Sequence, residues 1–226
     1  MKLSELSNTS LRIISAGIML GIVGVAVLLE KFGIPWLWIA PFYAIRWLAV
    51  LVVVGCIFET AKCVKSASDE NVQKNILPII IFMCLLVLVL FAAYHVGTRP
   101  LLMLWLLMII VGADVGGWLC GKIFGGDKLW EKISANKTWA GQIGGIVCGT
   151  LMSLLYYRLF GVFLQNAVFV GISVALLSQY GDLTASFIKR RLDIKDFGNL
   201  LPGHGGILDR FDGWIYVLPL VWWIIK

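Results

Sequence analysis

Lys189, Arg190, Lys195 and Arg210 alternate with Asp182, Asp196, Asp209 and Asp212 in a chain that is otherwise largely hydrocarbon. Ionised groups near a bilayer cost several kcal/mol unless they pair or line a wet cavity, so such a cluster marks a functional site. Asp182 and Asp209 come from different segments and suit Mg²⁺, a hard cation held by one or two carboxylates plus phosphate oxygens and water. The lysines and arginines would take the remaining phosphate charge. Gly203, Gly205 and Gly206 flank His204 and permit a tight turn whose N–H groups approach a phosphate closely. His204 itself reads either as a general base or as a hydrogen-bonding spacer. A phosphate monoester is already mostly dianionic at neutral pH, so a phosphate nucleophile needs no base.

A second polar cluster runs from Gly112 through Asp114, Lys122, Lys137 and Thr138 to Gly141. It lacks the G-x-x-x-x-G-K-[ST] spacing of a P-loop. Lys128 and Lys132 read as solvated charge, whereas Lys122 and Lys137, beside Gly or Thr at helix ends, are candidates for phosphate contact. Asp114 lies about 20 Å along a helix that begins near Pro100. It should face the protein interior, either binding substrate or pairing with a lysine.

The elements that must position these groups are membrane helices. Of the 226 residues 60% are hydrophobic and 14% charged, with a mean hydropathy of +0.90, against roughly 25% charged in soluble domains. Spans need about 20 apolar residues. The candidates are 11–29, 35–58, 76–94, 100–119, 138–160, 163–180 and 213–225, making an all-α bundle of about seven spans. With the N-terminus in the cytoplasm, most lysines and arginines fall on one side, as the positive-inside rule requires. The last candidate covers only about 20 Å, so it must extend back through Asp212 and Asp209, three residues apart on one face. Asp182, Ser186, Lys189 and Asp193 follow an i, i+4, i+7, i+11 stripe on the sixth helix. Residues 1–226 read as one membrane domain, with apolar spans over 1–111 and the catalytic half over 112–226.

The net charge of +6 fits anionic lipid or nucleotide phosphate. Cysteines at 56, 63, 84, 120 and 148 have no CxxC spacing and read as small buried hydrophobes without a redox or metal role. Transporters place polar groups at the midplane of paired broken helices; here the charges crowd one face, which disfavours an anion or lipid transporter.

The chain resembles the phosphatidate cytidylyltransferase (CDP-diacylglycerol synthase) family. The likeness runs through Gly181-Asp-Leu-Thr-Ala-Ser-Phe-Ile-Lys-Arg190 and through Lys195-Asp-x-Gly-x-x-x-Pro-Gly-His-Gly-Gly-Ile-Leu-Asp-Arg-x-Asp212. The segment from Gly112 to Gly141 also resembles the family, and Glu59 resembles a glutamate often found at the end of the second span. The resemblance implies transfer from CTP to phosphatidate with Mg²⁺, giving CDP-diacylglycerol and pyrophosphate. It implies metal on Asp182 and Asp209, with Lys189, Arg190, Lys195, Arg210 and Ser186 around the phosphates. The expected setting is a multi-pass protein of the cell (inner) membrane with a cytoplasm-facing site and no nucleic-acid role, and a homodimer is left open. The family usually carries an acid where this chain has Ala185 and often a proline at Ala135. A CTP-dependent lipid kinase is the alternative that the same cluster could serve.

Overall fold

A computed structural model describes residues 39–67, 69–161, 164–198 and 205–225. The expected first span, 11–29, and the beginning of the second lie outside them. The described chain forms α1 (Ile39–Ser66), α2 (Asp69–Lys74), α3 (Ile76–Val96), α4 (Pro100–Phe124), β1 (Lys128–Trp130), β2 (Ser134–Thr138), α5 (Trp139–Phe160), α6 (Leu164–Arg191), α7 (Leu208–Phe211) and α8 (Trp214–Ile225). Five of these helices, α1, α3, α4, α5 and α6, are long and apolar enough to cross a bilayer, as expected of a multi-pass membrane protein. The last apolar helix, α8, has 12 residues, or about 18 Å against a hydrocarbon core of about 30 Å. It is preceded by the single turn α7, so the extension towards Asp209 exists but is interrupted at Asp212 and Gly213.

The helices outrun their apolar stretches at the end where the charges collect. The apolar runs stop at residues 58, 119 and 180, yet α1 continues to Ser66, α4 to Phe124 and α6 to Arg191. Apolar length tracks the hydrocarbon slab, whereas a helix ends where its hydrogen bonds are capped. The end of α6 shows this. Ile194 N–H donates to the Lys189 carbonyl at 2.9 Å and Asp193 N–H to the Arg190 carbonyl at 3.3 Å, the paired bonds of a Schellman motif. Asp193 takes the left-handed position of that motif, at φ 56°. The predicted polar stripe therefore ends at Lys189, because Asp193 has left the helix.

Between α4 and α5 the chain makes an antiparallel hairpin, a feature not expected from a segment read only as a polar connector. Lys128 lies opposite Thr138 and Trp130 opposite Ser134. Gly125 and Gly126, at φ 58° and 90°, turn the chain out of α4 into β1.

Packing proceeds α1 on α3, α3 on α8, α8 on α6, α6 on α5 and α5 on α4. The core holds Phe82 and Leu86 of α3, Leu106 and Ile109 of α4, Val174 of α6 and Ile215 and Val217 of α8. Ser153 is fully buried and joins three helices: it accepts from Trp105 Nε1 at 2.9 Å and donates to the Ala167 carbonyl at 2.6 Å. Between α4 and α5 the backbones touch. A Cβ on Gly116 would sit 2.9 Å from the Gly144 carbonyl oxygen, and one on Gly141 would sit 2.7 Å from that of Gly117. Small residues at four-residue spacing give membrane helices this approach where no hydrophobic effect drives them together. Gly141→Val should therefore separate α4 from α5 and destabilise the protein by about 1–3 kcal/mol, the usual range for overpacking. Thermal unfolding in detergent, followed by loss of a monodisperse gel-filtration peak, measures it.

Candidate active site

The charged residues meet where α6 ends and α5 begins, and the α7 turn packs against α6 and α1. Asp209, in the first turn of α7, is saturated on one oxygen. Its Oδ2 accepts the amides of Phe197 at 2.9 Å and Gly206 at 3.0 Å, while Oδ1 pairs with Lys189 Nζ at 2.8 Å. The Asp209 and Lys189 side chains are 7% and 14% exposed, so water and salt screen the pair far less than a surface one. Phe197 fixes the far side. Its ring stacks on Phe82 and lies 5.7 Å from Lys189 Nζ, and its carbonyl accepts Cys63 Sγ–H at 2.7 Å.

A second ion pair lies between Lys137, on β2, and Asp182, on α6, at 2.6 Å. Ser186 Oγ donates to the other Asp182 oxygen at 3.3 Å. Asp182, Ser186 and Lys189 thus share one face of α6, as their spacing predicts. Asp212 lies in the break between α7 and α8, outside the helices long enough to cross a bilayer, and accepts the Gly213 amide at 2.8 Å. Burial, followed by the like charges of Asp182 and Asp114, holds its carboxyl well above the usual carboxylate range; Lys189 and Lys137 oppose the shift. The charges of Asp182, Asp114, Lys189 and Lys137 thus all reach Asp212.

Several expected contacts fall elsewhere. Asp114 is exposed and lies within electrostatic reach of Asp182 and Lys137. The glycines that bring α4 and α5 together occupy the inward faces, which leaves Asp114 at the margin of that contact. Lys122 is exposed and lies 5.1 Å from the Trp118 ring. The Thr138 hydroxyl accepts the Gly141 amide at 3.1 Å and caps α5. Arg190 Nε donates to the Ile133 carbonyl at 3.4 Å, which ties α6 to the hairpin, and Arg191 donates to Asn75 Oδ1 at 2.9 Å. Lys195, Asp196 and Arg210 are exposed around the site. Gly203 and His204 lie outside the described residues. Gly205 adopts φ 84°, and the Gly206 amide, expected to face a phosphate, is donated to Asp209.

Sequence reasoning missed one participant, Phe197, and gave a second, Glu59, a family likeness but no place in the site. Phe197, a lone aromatic inside a polar run, was the available signal for a buried anchor. Glu59 is buried on α1, and its Oε2 accepts the Leu208 amide at 3.2 Å.

Among the described residues no three His, Cys, Asp or Glu side chains gather as a metal site. The donors present nevertheless fit Mg²⁺, which needs one or two carboxylates when phosphate and water supply the rest. Each carboxylate oxygen offers two acceptor positions. Asp209 Oδ1 carries the Lys189 bond and each Asp182 oxygen one contact, so both residues retain capacity towards a hard cation.

Comparison with known proteins agrees with the resemblance. The cytidylyltransferase family profile matches residues 2–226. A protein named phosphatidate cytidylyltransferase from Rickettsia bellii (strain RML369-C) is 33% identical over 226 residues, covering 96% of this chain and 91% of the relative. Proteins of the same name from Staphylococcus aureus (strain COL) and Staphylococcus haemolyticus (strain JCSC1435) are 43% and 40% identical over 120 residues, covering 52% of this chain and 46% of each relative. With a profile match of this extent and a relative similar from end to end, the chain belongs to the cytidylyltransferase family.

Proposed function

We propose that this protein transfers the cytidylyl group of CTP to phosphatidate, forming CDP-diacylglycerol and pyrophosphate. The observation that carries this reading is the pairing of Lys137 with Asp182 and of Lys189 with Asp209 at one end of a bundle of apolar helices. A lipid phosphate can reach that end along the bilayer and a nucleotide can reach it from water.

A phosphate oxygen of phosphatidate attacks the α-phosphorus of CTP in line. The new P–O bond forms as the α–β anhydride bond breaks, and the bonding pair leaves on pyrophosphate. Little covalent chemistry falls to the protein, so its tasks are positioning and charge stabilisation. Lys137 and Lys189 are fixed by their aspartates at one site, with Lys195 and Arg210 exposed at its rim. Mg²⁺ held by Asp182 and Asp209 would neutralise part of the triphosphate and stabilise the leaving group. Ser186 holds Asp182 in orientation. One phosphoanhydride replaces another, so removal of pyrophosphate would draw the reaction forward.

We assign this end of the bundle to the cytoplasmic side of the inner membrane, with about seven spans and the N-terminus cytoplasmic. Lys62, Lys65, Lys74, Lys128, Lys132 and Lys137 support that orientation, since all lie in or beside the segments joined at this end. The catalytic half is then 112–226.

With purified protein, phosphatidate and Mg²⁺, label on the α-phosphate of CTP should pass into lipid. Label entering lipid only from the γ-position would identify a CTP-dependent lipid kinase instead. Asp209→Asn retains a carbonyl oxygen for the Phe197 and Gly206 amides but turns off the charge facing Lys189. It should elute from detergent gel filtration like wild type while forming CDP-lipid at least about 100-fold more slowly, the scale seen on removing one charge-stabilising group. Wild-type turnover in that variant would remove Asp209 from the chemistry.

A further inference from the structure

Glu59 stands outside the ion pairs, and its environment is unusual for a carboxylate. It is 6% exposed, near the cytoplasmic end of an apolar helix, with no lysine or arginine ion-paired to it among the described residues. Oε2 accepts the Leu208 amide at 3.2 Å, and Oε1 is buried with no hydrogen-bond partner among the described residues. An orphaned buried acceptor costs folding free energy. A hydrophobic side chain would fill this place more cheaply, so the carboxylate calls for a functional explanation.

Its surroundings supply one. Leu208 is the residue before Asp209, so the Glu59 bond fixes the backbone that carries Asp209. The side chain also fills the gap between the two strands of chain that donate to Asp209. A Cβ on Gly198, next to Phe197, would lie 2.7 Å from Glu59 Oε1, and one on Gly206 would lie 2.7 Å from Glu59 Oε2. Only glycine leaves room for the carboxylate at both points. Glu59 thus touches the neighbours of all three backbone positions that determine where the Asp209 carboxylate sits: Phe197, Gly206 and Asp209 itself.

We propose that Glu59 is a positioning residue that holds the Asp209 carboxylate and its bound Lys189 in the reactive arrangement, so that α1 takes part in setting the geometry of a site otherwise built from the C-terminal half. The kinetic form of this proposal rests on the cytidylyltransferase reading above; its structural form does not. Loss of an outer contact that orients a functional carboxylate typically costs 10–100-fold in activity.

The test compares Glu59→Gln, Glu59→Ala and Gly198→Ala in full-length protein in detergent. Glutamine keeps an oxygen for the Leu208 amide and should retain kcat within about threefold, whereas alanine should lower kcat by about 10–100-fold with KM for CTP and for phosphatidate within about threefold. Gly198→Ala displaces the carboxylate without removing it and should reproduce that loss, which keeps the proposal testable if Glu59→Ala does not fold. Hydrogen exchange of peptides covering 205–212 should rise in Glu59→Ala and in Gly198→Ala but not in Glu59→Gln. The proposal is overturned by wild-type kcat in Glu59→Ala or Gly198→Ala, by glutamine as impaired as alanine, or by unchanged exchange. If the wild-type protein shows no cytidylyl transfer, the functional reading fails and the exchange measurement alone decides whether Glu59 positions the turn.

Discussion

The Asp209 carboxylate is the point on which the site's geometry depends. It collects a lysine from α6, an amide from the loop after α6 and an amide from the turn before α7. A side chain in water could not gather three donors without losing a comparable number of hydrogen bonds to solvent. Here the carboxylate is nearly sealed, and each donor it accepts would otherwise have to be satisfied elsewhere. The same contacts that stabilise the charge therefore tie Phe197 and Gly206 to the α7 turn. Lys189 is restrained in turn, with its ammonium on Asp209 and 5.7 Å from the Phe197 ring.

The membrane-like core makes this arrangement possible. The helices continue past the apolar slab, so that the last two turns of α6 carry Ser186 and Lys189 while its middle stays buried among other helices. Close approach of α4 and α5 through paired glycines places β2 and Lys137 beside α6. Rigid packing in the apolar region thus serves a function at its edge. Had α4 and α5 been separated by ordinary side chains, Lys137 would have been carried away from Asp182.

Periodicity revealed the α6 face because Asp182, Ser186 and Lys189 recur at helical spacing whatever surrounds them. The apolar runs located five of the helices for an equally local reason. The stripe was extended to Asp193 because spacing alone contains no signal for where a helix closes, and the closing residue here is an aspartate in a left-handed conformation rather than a glycine. Arg190, Thr138 and Lys122 carry the right chemistry for phosphate, but tertiary contacts determine their direction: one reaches the hairpin, one caps α5 and one covers Trp118. The hairpin was hidden for a similar reason. Its strands are only 3 and 5 residues long and offer no alternating pattern to detect.

Ala185 shows how far the site can be simplified without losing its charge logic. Members of the resembled family usually carry an acid at this position, yet here the residue is fully buried in the apolar core, one turn from Asp182. A carboxylate there would need a cation or several donors of its own, since an isolated buried charge is strongly disfavoured. The nearby lysines, Lys137 and Lys189, are already paired with Asp182 and Asp209. An alanine avoids that competition and keeps both lysines on the aspartates that orient them. The further carboxylate beside these lysines is that of Asp212, raised by burial and then by the charges of Asp182 and Asp114, with Lys189 and Lys137 opposing.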